Sequence, residues 1–163
     1  YGISFVVHSS ILIGHLLLQG LGDTVRVSMT GDPIEEVRAA KKILDAVGER
    51  PQPVRIIACP TCGRTDPDIN LETIAREVEH AIIEEFAAEL VALQRRIVVA
   101  LMGCEVNGPG EAAHADVGVA GARSGKYLLF AQGKKIAIIT RNEIVKAIVR
   151  EVRAIVEQLR AAH

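Results

Sequence analysis

All three cysteines of the chain lie in two short stretches, Cys59-Pro60-Thr61-Cys62-Gly63-Arg64-Thr65 and Met102-Gly103-Cys104-Glu105-Val106-Asn107-Gly108-Pro109-Gly110-Glu111. The Cys-x-x-Cys spacing lets two sulfurs reach one ion or one cluster from a single turn. Pro60 restricts that turn and Gly63 frees the chain to leave it. In the second stretch Asn107-Gly108-Pro109-Gly110 reads as a tight loop, not regular helix or central strand. Such a loop could fold Glu111 back towards Cys104 and aim backbone N–H groups at sulfur or phosphate.

Three thiols at this spacing admit four chemistries. Iron–sulfur clusters take cysteine thiolates, usually four of them. With three, one iron is left for a carboxylate or a substrate, as a catalytic cluster requires. Zinc with three cysteines and one histidine is a normal structural site, and His114 could be its fourth ligand. A thioredoxin-like redox pair is a third reading of the Cys-x-x-Cys. The fourth is that the thiols are ordinary buried side chains. Spacing alone leaves all four open.

The elements that must position these residues are legible around them. Val54–Ala58 (VRIIA) leads into Cys59 and Ile97–Met102 (IVVALM) into Cys104. Both read as buried strands, which places the thiols at strand ends, where open α/β sheets put their sites. After an Asp66-Pro67-Asp68 turn or cap, Leu71, Ile74, Val78, Ile82, Phe86, Leu90 and Leu93 recur at helical spacing over 71–93 and form a buried stripe. Glu72, Arg76, Glu79, His80 and Glu84 are then its solvated face. Ala115–Ala120 reads as a glycine-containing strand and Gly121–Lys126 as a flexible basic turn. Tyr127–Ala131 and Lys135–Ile139 flank Gln132-Gly133-Lys134, a hairpin signal. Thr140-Arg141-Asn142-Glu143 is a capping box opening a last helix, whose stripe is Ile144, Ile148, Val152, Ile155 and Leu159. The fold class is α/β, a mixed sheet with flanking helices.

Residues 1–50 read as β-α-β-α. Ile3–Val7 is a short apolar strand, and Ser9 or Ser10 caps a helix that runs through Gln19 to a glycine stop. Val25–Met29 alternates as a strand does. Asp32-Pro33-Ile34-Glu35 orders a cap, a proline and an acid at the start of a helix that Gly48 ends. Arg26 and Ser28 share one face of the Val25–Met29 segment, which by itself reads as a solvated edge. Glu49–Pro53 (ERPQP) is a linker, so residues 1–50 and 51–163 are expected to be separate domains.

The pair CPTCGRT and MGCEVNGPGEA, with GLGDTVRVSMTGDP upstream and ADVGVAG downstream, resembles the C-terminal domain of the 4-hydroxy-3-methylbut-2-enyl diphosphate synthase family. The resemblance runs from about Gly2 onward and covers less than half of the family enzyme, whose larger part is a (β/α)8 barrel. It implies that residues 1–50 are the end of that TIM barrel and 51–163 an iron–sulfur domain. It also implies a [4Fe–4S] cluster on Cys59, Cys62 and Cys104, with Glu111 as fourth ligand, displaceable by substrate and able to handle a proton. Asn107 would orient the substrate, and Arg26 and Ser28 would contact its diphosphate, for which an Arg fork is suited. The implied substrate is the cyclic diphosphate 2-C-methyl-D-erythritol 2,4-cyclodiphosphate, with flavodoxin or ferredoxin as electron donor and a homodimer as the assembly. Arg64 and Glu105 are candidates for supporting the cluster. The chain departs from the pattern in lacking nearly all of the barrel, and at His8, where such sequences commonly carry lysine.

Composition narrows the partners. The 163 residues are 49% hydrophobic, ample for a core. Lys plus Arg number 19 against 20 for Asp plus Glu, so no basic footprint for nucleic acid exists, and 3% aromatics offer few stacking platforms. No apolar run has the length of a membrane-spanning helix. Three thiols without a leader peptide are expected in a reducing cytoplasm. Tyr1 is not a start methionine, which points to a fragment or a trimmed boundary.

Overall fold

The computed structural model describes residues 2–106 and 108–162, with the backbone alone at residues 108, 109, 113 and 123. They fall into two units, Tyr1–Gln52 and Pro53–His163. In the first unit helix α1 (Gly2–Leu18) and helix α2 (Pro33–Ala46) pack through Leu17, Val27 and Ile43. Asp32 caps α2 as expected, its carboxylate accepting from the Ile34 N–H at 2.9 Å with Pro33 at the first helical position.

Two expectations fail in this unit. Ile3–Val7 is the first part of α1 and not a strand, so Ser9 and Ser10 lie within the helix and cap nothing. A short apolar run has no period that separates strand from buried helix, and here the run continues into helical sequence without a break. Val25–Met29 is no strand either. Its alternation is real, since Val27 is buried while Arg26 and Ser28 are exposed. A strand needs a hydrogen-bonded neighbour, and no strand is present among the described residues of this unit.

The second unit is a five-stranded sheet in sequential order: β1 (Val54–Ala58), β2 (Ile97–Met102), β3 (Val117–Gly121), β4 (Lys126–Ala131) and β5 (Lys134–Thr140). β1, β2 and β3 run parallel, and β3–β4 and β4–β5 are antiparallel. The β4–β5 turn has φ of 49° at Gln132 and 77° at Gly133, the positive pair that a two-residue hairpin of right-handed twist requires. β3 begins two residues later than its sequence suggested.

The two faces of the sheet are covered differently. Val99, Leu101, Val117, Val119 and Leu129 point to helices α3 (Leu71–Ala92) and α5 (Ile144–Ala162), meeting Val78, Ile82, Leu90, Ile148 and Val152 in the main core. Ala100, Met102, Ala120 and Phe130 point the other way, towards Ala112 of the short helix α4 (Gly108–Ala113). Strand periodicity of two produces this division. α3 starts at Asn70, whose side chain accepts from the Thr73 N–H at 2.9 Å. The capping box before α5 forms as expected, with Glu143 accepting from the Thr140 N–H at 2.7 Å.

α4 is a correction. Gly108-Pro109-Gly110 opens a helix instead of forming an irregular loop. Proline is tolerated in a first turn because its missing N–H would have no intrahelical partner there.

Candidate metal centre

The parallel strands β1 and β2 deliver the thiols to the same end of the sheet. Ala58 is level with Leu101, and the ladder extends one step further through the Cys59 N–H, which donates to the Leu101 carbonyl at 2.9 Å. Cys59 is therefore held as sheet, half-buried and packed against both core faces. Cys62 is exposed in the turn that follows, and Cys104 is buried just past the end of β2. None of the three is in a disulfide. Between Cys59 and Cys62 the backbone reverses through Thr61 at φ 64°, an unfavourable conformation for a β-branched residue. Such strain persists only where the surroundings impose it, and it concentrates at functional sites.

The Cys59–Thr65 turn is tied to the rest of the sheet by its last residues. The Thr65 N–H donates to the Cys62 carbonyl at 2.9 Å, and Thr65 Oγ1 accepts from the Cys62 N–H at 3.2 Å. Thr65 also lies against Gly103, where a methyl group would come within 2.6 Å of Thr65 Cγ2 and 2.8 Å of Oγ1. The turn bearing Cys62 and the segment bearing Cys104 are thus in contact. Next along the chain, Asp66 accepts from the Tyr127 hydroxyl at 2.7 Å and from the Asp68 N–H at 3.0 Å. These bonds, the tyrosine first, hold the Asp66 carboxyl below its ordinary value of 3.8. Burial and the same bond push the Tyr127 hydroxyl well above its ordinary 10.0.

A cavity of about 450 Å³ opens beside Cys104, lined by Arg64, Thr65, Asp66, Glu105 and Ser124 among others. A second one of about 630 Å³ lies against Cys59, Thr61 and Asn70. Arg64 and Glu105 therefore share one cavity wall with Cys104. Glu111 is exposed in the first turn of α4, and α4 packs on β2 and β3 with Ala112 against Gly118. His114 is exposed just after that helix. Asn107 lies outside the described residues. Arg26 and Ser28 belong to the first unit, as does His8, whose Nδ1–H donates to the Ser4 carbonyl at 2.8 Å. Among the described residues no three of His, Cys, Asp and Glu are grouped as ligands of one metal ion.

Three contacts that hold this end and its opposite carry no signal in the sequence: Thr65 on Gly103, Asp66 with Tyr127, and Asp116 with its two partners. The Asp116 carboxylate accepts from the Val98 N–H at 2.8 Å and pairs with Arg95 at 2.6 Å, clamping the far end of β2 and β3. The His80–Glu84 and Arg76–Glu72 pairs lie on the solvated face of α3, as expected.

The family model described as "GcpE protein C-terminal domain" matches residues 55–154, and that described as "GcpE TIM-barrel domain" matches residues 2–41. The chain belongs to the GcpE family. It is 46% identical over 150 residues to a protein of Clostridium tetani named 4-hydroxy-3-methylbut-2-en-1-yl diphosphate synthase (flavodoxin), a match covering 92% of this chain and 40% of the relative. A protein of the same name from Geobacter sulfurreducens is 42% identical over 155 residues, 95% of this chain and 41% of its own length. One from Corynebacterium glutamicum is 38% identical over 153 residues, 94% of this chain and 38% of its own. The chain thus spans about two-fifths of the length of these GcpE-family relatives.

Three thiols are donors that suit an iron–sulfur cluster or zinc. Soft thiolates select iron–sulfur or zinc, and a carboxylate is a harder ligand than a thiolate. The thiols are presented from two touching segments at one sheet end, beside a cavity with room for more than the protein.

Proposed function

We propose that this chain is the cluster-bearing part of an enzyme that reductively opens 2-C-methyl-D-erythritol 2,4-cyclodiphosphate to 4-hydroxy-3-methylbut-2-enyl diphosphate, in the non-mevalonate route to isoprenoids. Cys59, Cys62 and Cys104 hold a [4Fe–4S] cluster, and Glu111 is its fourth ligand. The observation that carries the reading is the contact of Thr65 with Gly103, which joins the two thiol segments in a chain of this family. When bound, the cluster would relay electrons one at a time from the external donor, two in all for the reduction, and would offer a Lewis-acidic iron. The chain's own residues do the rest. Cys59 is fixed by the sheet, Glu111 would hold the cluster and be available to carry a proton, and Asn107 would orient the substrate. Arg26 and Ser28 hold the diphosphate. Arg64 and Glu105 line the cavity beside Cys104, where they adjust the local charge.

The reading extends to the rest of the molecule. Residues 1–50 are the end of a (β/α)8 barrel, and 51–163 are the cluster domain. Flavodoxin, which the relatives carry in their names, or ferredoxin delivers the electrons. The working assembly is a cytoplasmic homodimer, without nucleic acid or membrane; no helix among the described residues is long and apolar enough to cross one. The 163 residues by themselves are expected to bind the cluster but to turn over little or no substrate, since the named relatives are more than twice as long.

Iron, acid-labile sulfide and zinc are to be measured on anaerobically reconstituted chain. About four irons and four sulfides per chain support the proposal. About one zinc without sulfide would replace it with a structural zinc module. Glu111→Ala should then lower iron retention and His114→Ala should leave it unchanged; the reverse ranking belongs to zinc.

A further inference from the structure

We propose that Thr65 is a positioning residue that sets Cys104 against Cys62, its hydroxyl accepting from the Cys62 turn while its methyl and hydroxyl together bear on Gly103. The inference rests on the reading of the thiols as one centre, but the geometry is a property of the metal-free chain.

On the hydroxyl side, Thr65 and Cys62 exchange two hydrogen bonds. The Thr65 N–H donates to the Cys62 carbonyl at 2.9 Å, and the Cys62 N–H donates to Thr65 Oγ1 at 3.2 Å. The turn carrying the exposed thiol is thereby closed on Thr65. Against Gly103, a methyl group placed on that glycine would lie 2.6 Å from Thr65 Cγ2 and 2.8 Å from Oγ1. Backbone and side chain are in direct contact there, with no space for a Cβ.

The grip is two-sided. A methyl group on Gly121, at the end of β3, would lie 2.4 Å from the Gly103 carbonyl oxygen and 3.0 Å from the Cys104 nitrogen. Gly103 is therefore in close contact with Thr65 of the Cys-x-x-Cys turn, and its peptide to Cys104 with the β3 backbone at Gly121. Serine would keep the acceptor and lose the methyl contact. Valine would keep the shape and lose the acceptor. Only threonine supplies both.

The test uses the reduced, metal-free 163-residue chain. Hydrogen exchange of the Cys62 amide should rise about fivefold in Thr65→Val, the loss of one ordinary hydrogen bond, and stay near the wild-type rate in Thr65→Ser. Thr65→Val exchanging like wild type, or Thr65→Ser exchanging like Thr65→Val, would overturn the proposal, since a purely packing role ranks the two the other way. The methyl side is read by alkylation of Cys104 relative to Cys62 at one fixed pH. Gly103→Ala should speed it about tenfold with Thr65 present and about twofold or less in a Thr65→Ala background, as coupled neighbours do. Independent, multiplying effects would overturn it. A chain that takes up zinc in place of iron would sink the functional reading and leave both of these measurements intact.

Discussion

The two ends of the sheet are held by opposite means. At the end where β2 and β3 begin, one side chain makes the clamp: Asp116 takes the Val98 N–H and the Arg95 guanidinium, and the backbones of 98 and 116 also pair at 3.0 Å. At the end where β1 and β2 finish, close approach replaces charge. Gly121, Gly103 and Thr65 are stacked at distances that exclude a single methyl group. The difference teaches how this fold can hold the two segments that carry the thiols at one rim. The ionic clamp sits at the far rim, and the near rim is fixed by shape and by the Thr65–Cys62 hydrogen bonds, with Asp66 turned away to Tyr127.

The largest expected effect comes from breaking the near rim. Gly121→Ala puts a methyl group into the Gly103–Cys104 peptide and should cost about 3 kcal/mol, the upper part of the overpacking range, in denaturant unfolding. Alkylation of Cys104 should accelerate in the same variant. Next comes the far rim. Asp116→Ala strips the acceptor from the Val98 N–H and should cost about 1–3 kcal/mol, while iron uptake and Cys104 reactivity stay at wild-type levels. If Asp116→Ala changed iron uptake as strongly as Gly121→Ala does, the contrast between the rims would fail.

A smaller effect sharpens the comparison through pH. Asp66 titrates below its unfolded value of 3.8, so its contribution is present above that value and lost as pH falls through the lower folded value. Tyr127 is raised above 10.0, so its contribution is present below that value and lost as pH rises through the higher folded one. Tyr127→Phe should therefore reduce stability at neutral pH and flatten both the acid and the alkaline limbs of a thermal-midpoint profile. Unchanged limbs would mean that the pair does not anchor the turn. Arg153→Ala, far from both rims, removes a half-exposed pair with Glu85 and should cost about 0.2–1 kcal/mol.

The sequence makes visible whatever repeats or caps locally. Six of the seven stripe residues of α3, the VRIIA and IVVALM strands, the hairpin and the Thr140–Glu143 box stand where their periods and spacings place them, while Leu93 is the half-buried C-cap beyond the helix. Ile3–Val7 reads as a strand and is helix because five apolar residues carry no period of their own. Val25–Met29 has the strand alternation without a neighbour to pair with. Gly108-Pro109-Gly110 has the composition of a loop, but the position of a proline within a helix decides more than its presence. At the candidate centre, the cysteines and their strand-end placement are legible. Thr65 on Gly103, separated by 38 positions, and Asp66 with Tyr127, 61 apart, are not, because nothing local marks a contact made only when the sheet closes.

The unequal exposure of the three thiols gives them unequal lifetimes in an oxidant. Cys62 stands in solvent, Cys59 is half-covered and Cys104 is buried, so attack begins at Cys62. A sulfenic acid formed there has Cys59 three positions away to condense with, and a disulfide across the Cys-x-x-Cys turn is an injury that a cellular reductant reverses. The thiol without a neighbour in sequence, Cys104, is the one the fold keeps from the oxidant, so the chain is most exposed where it is most easily repaired.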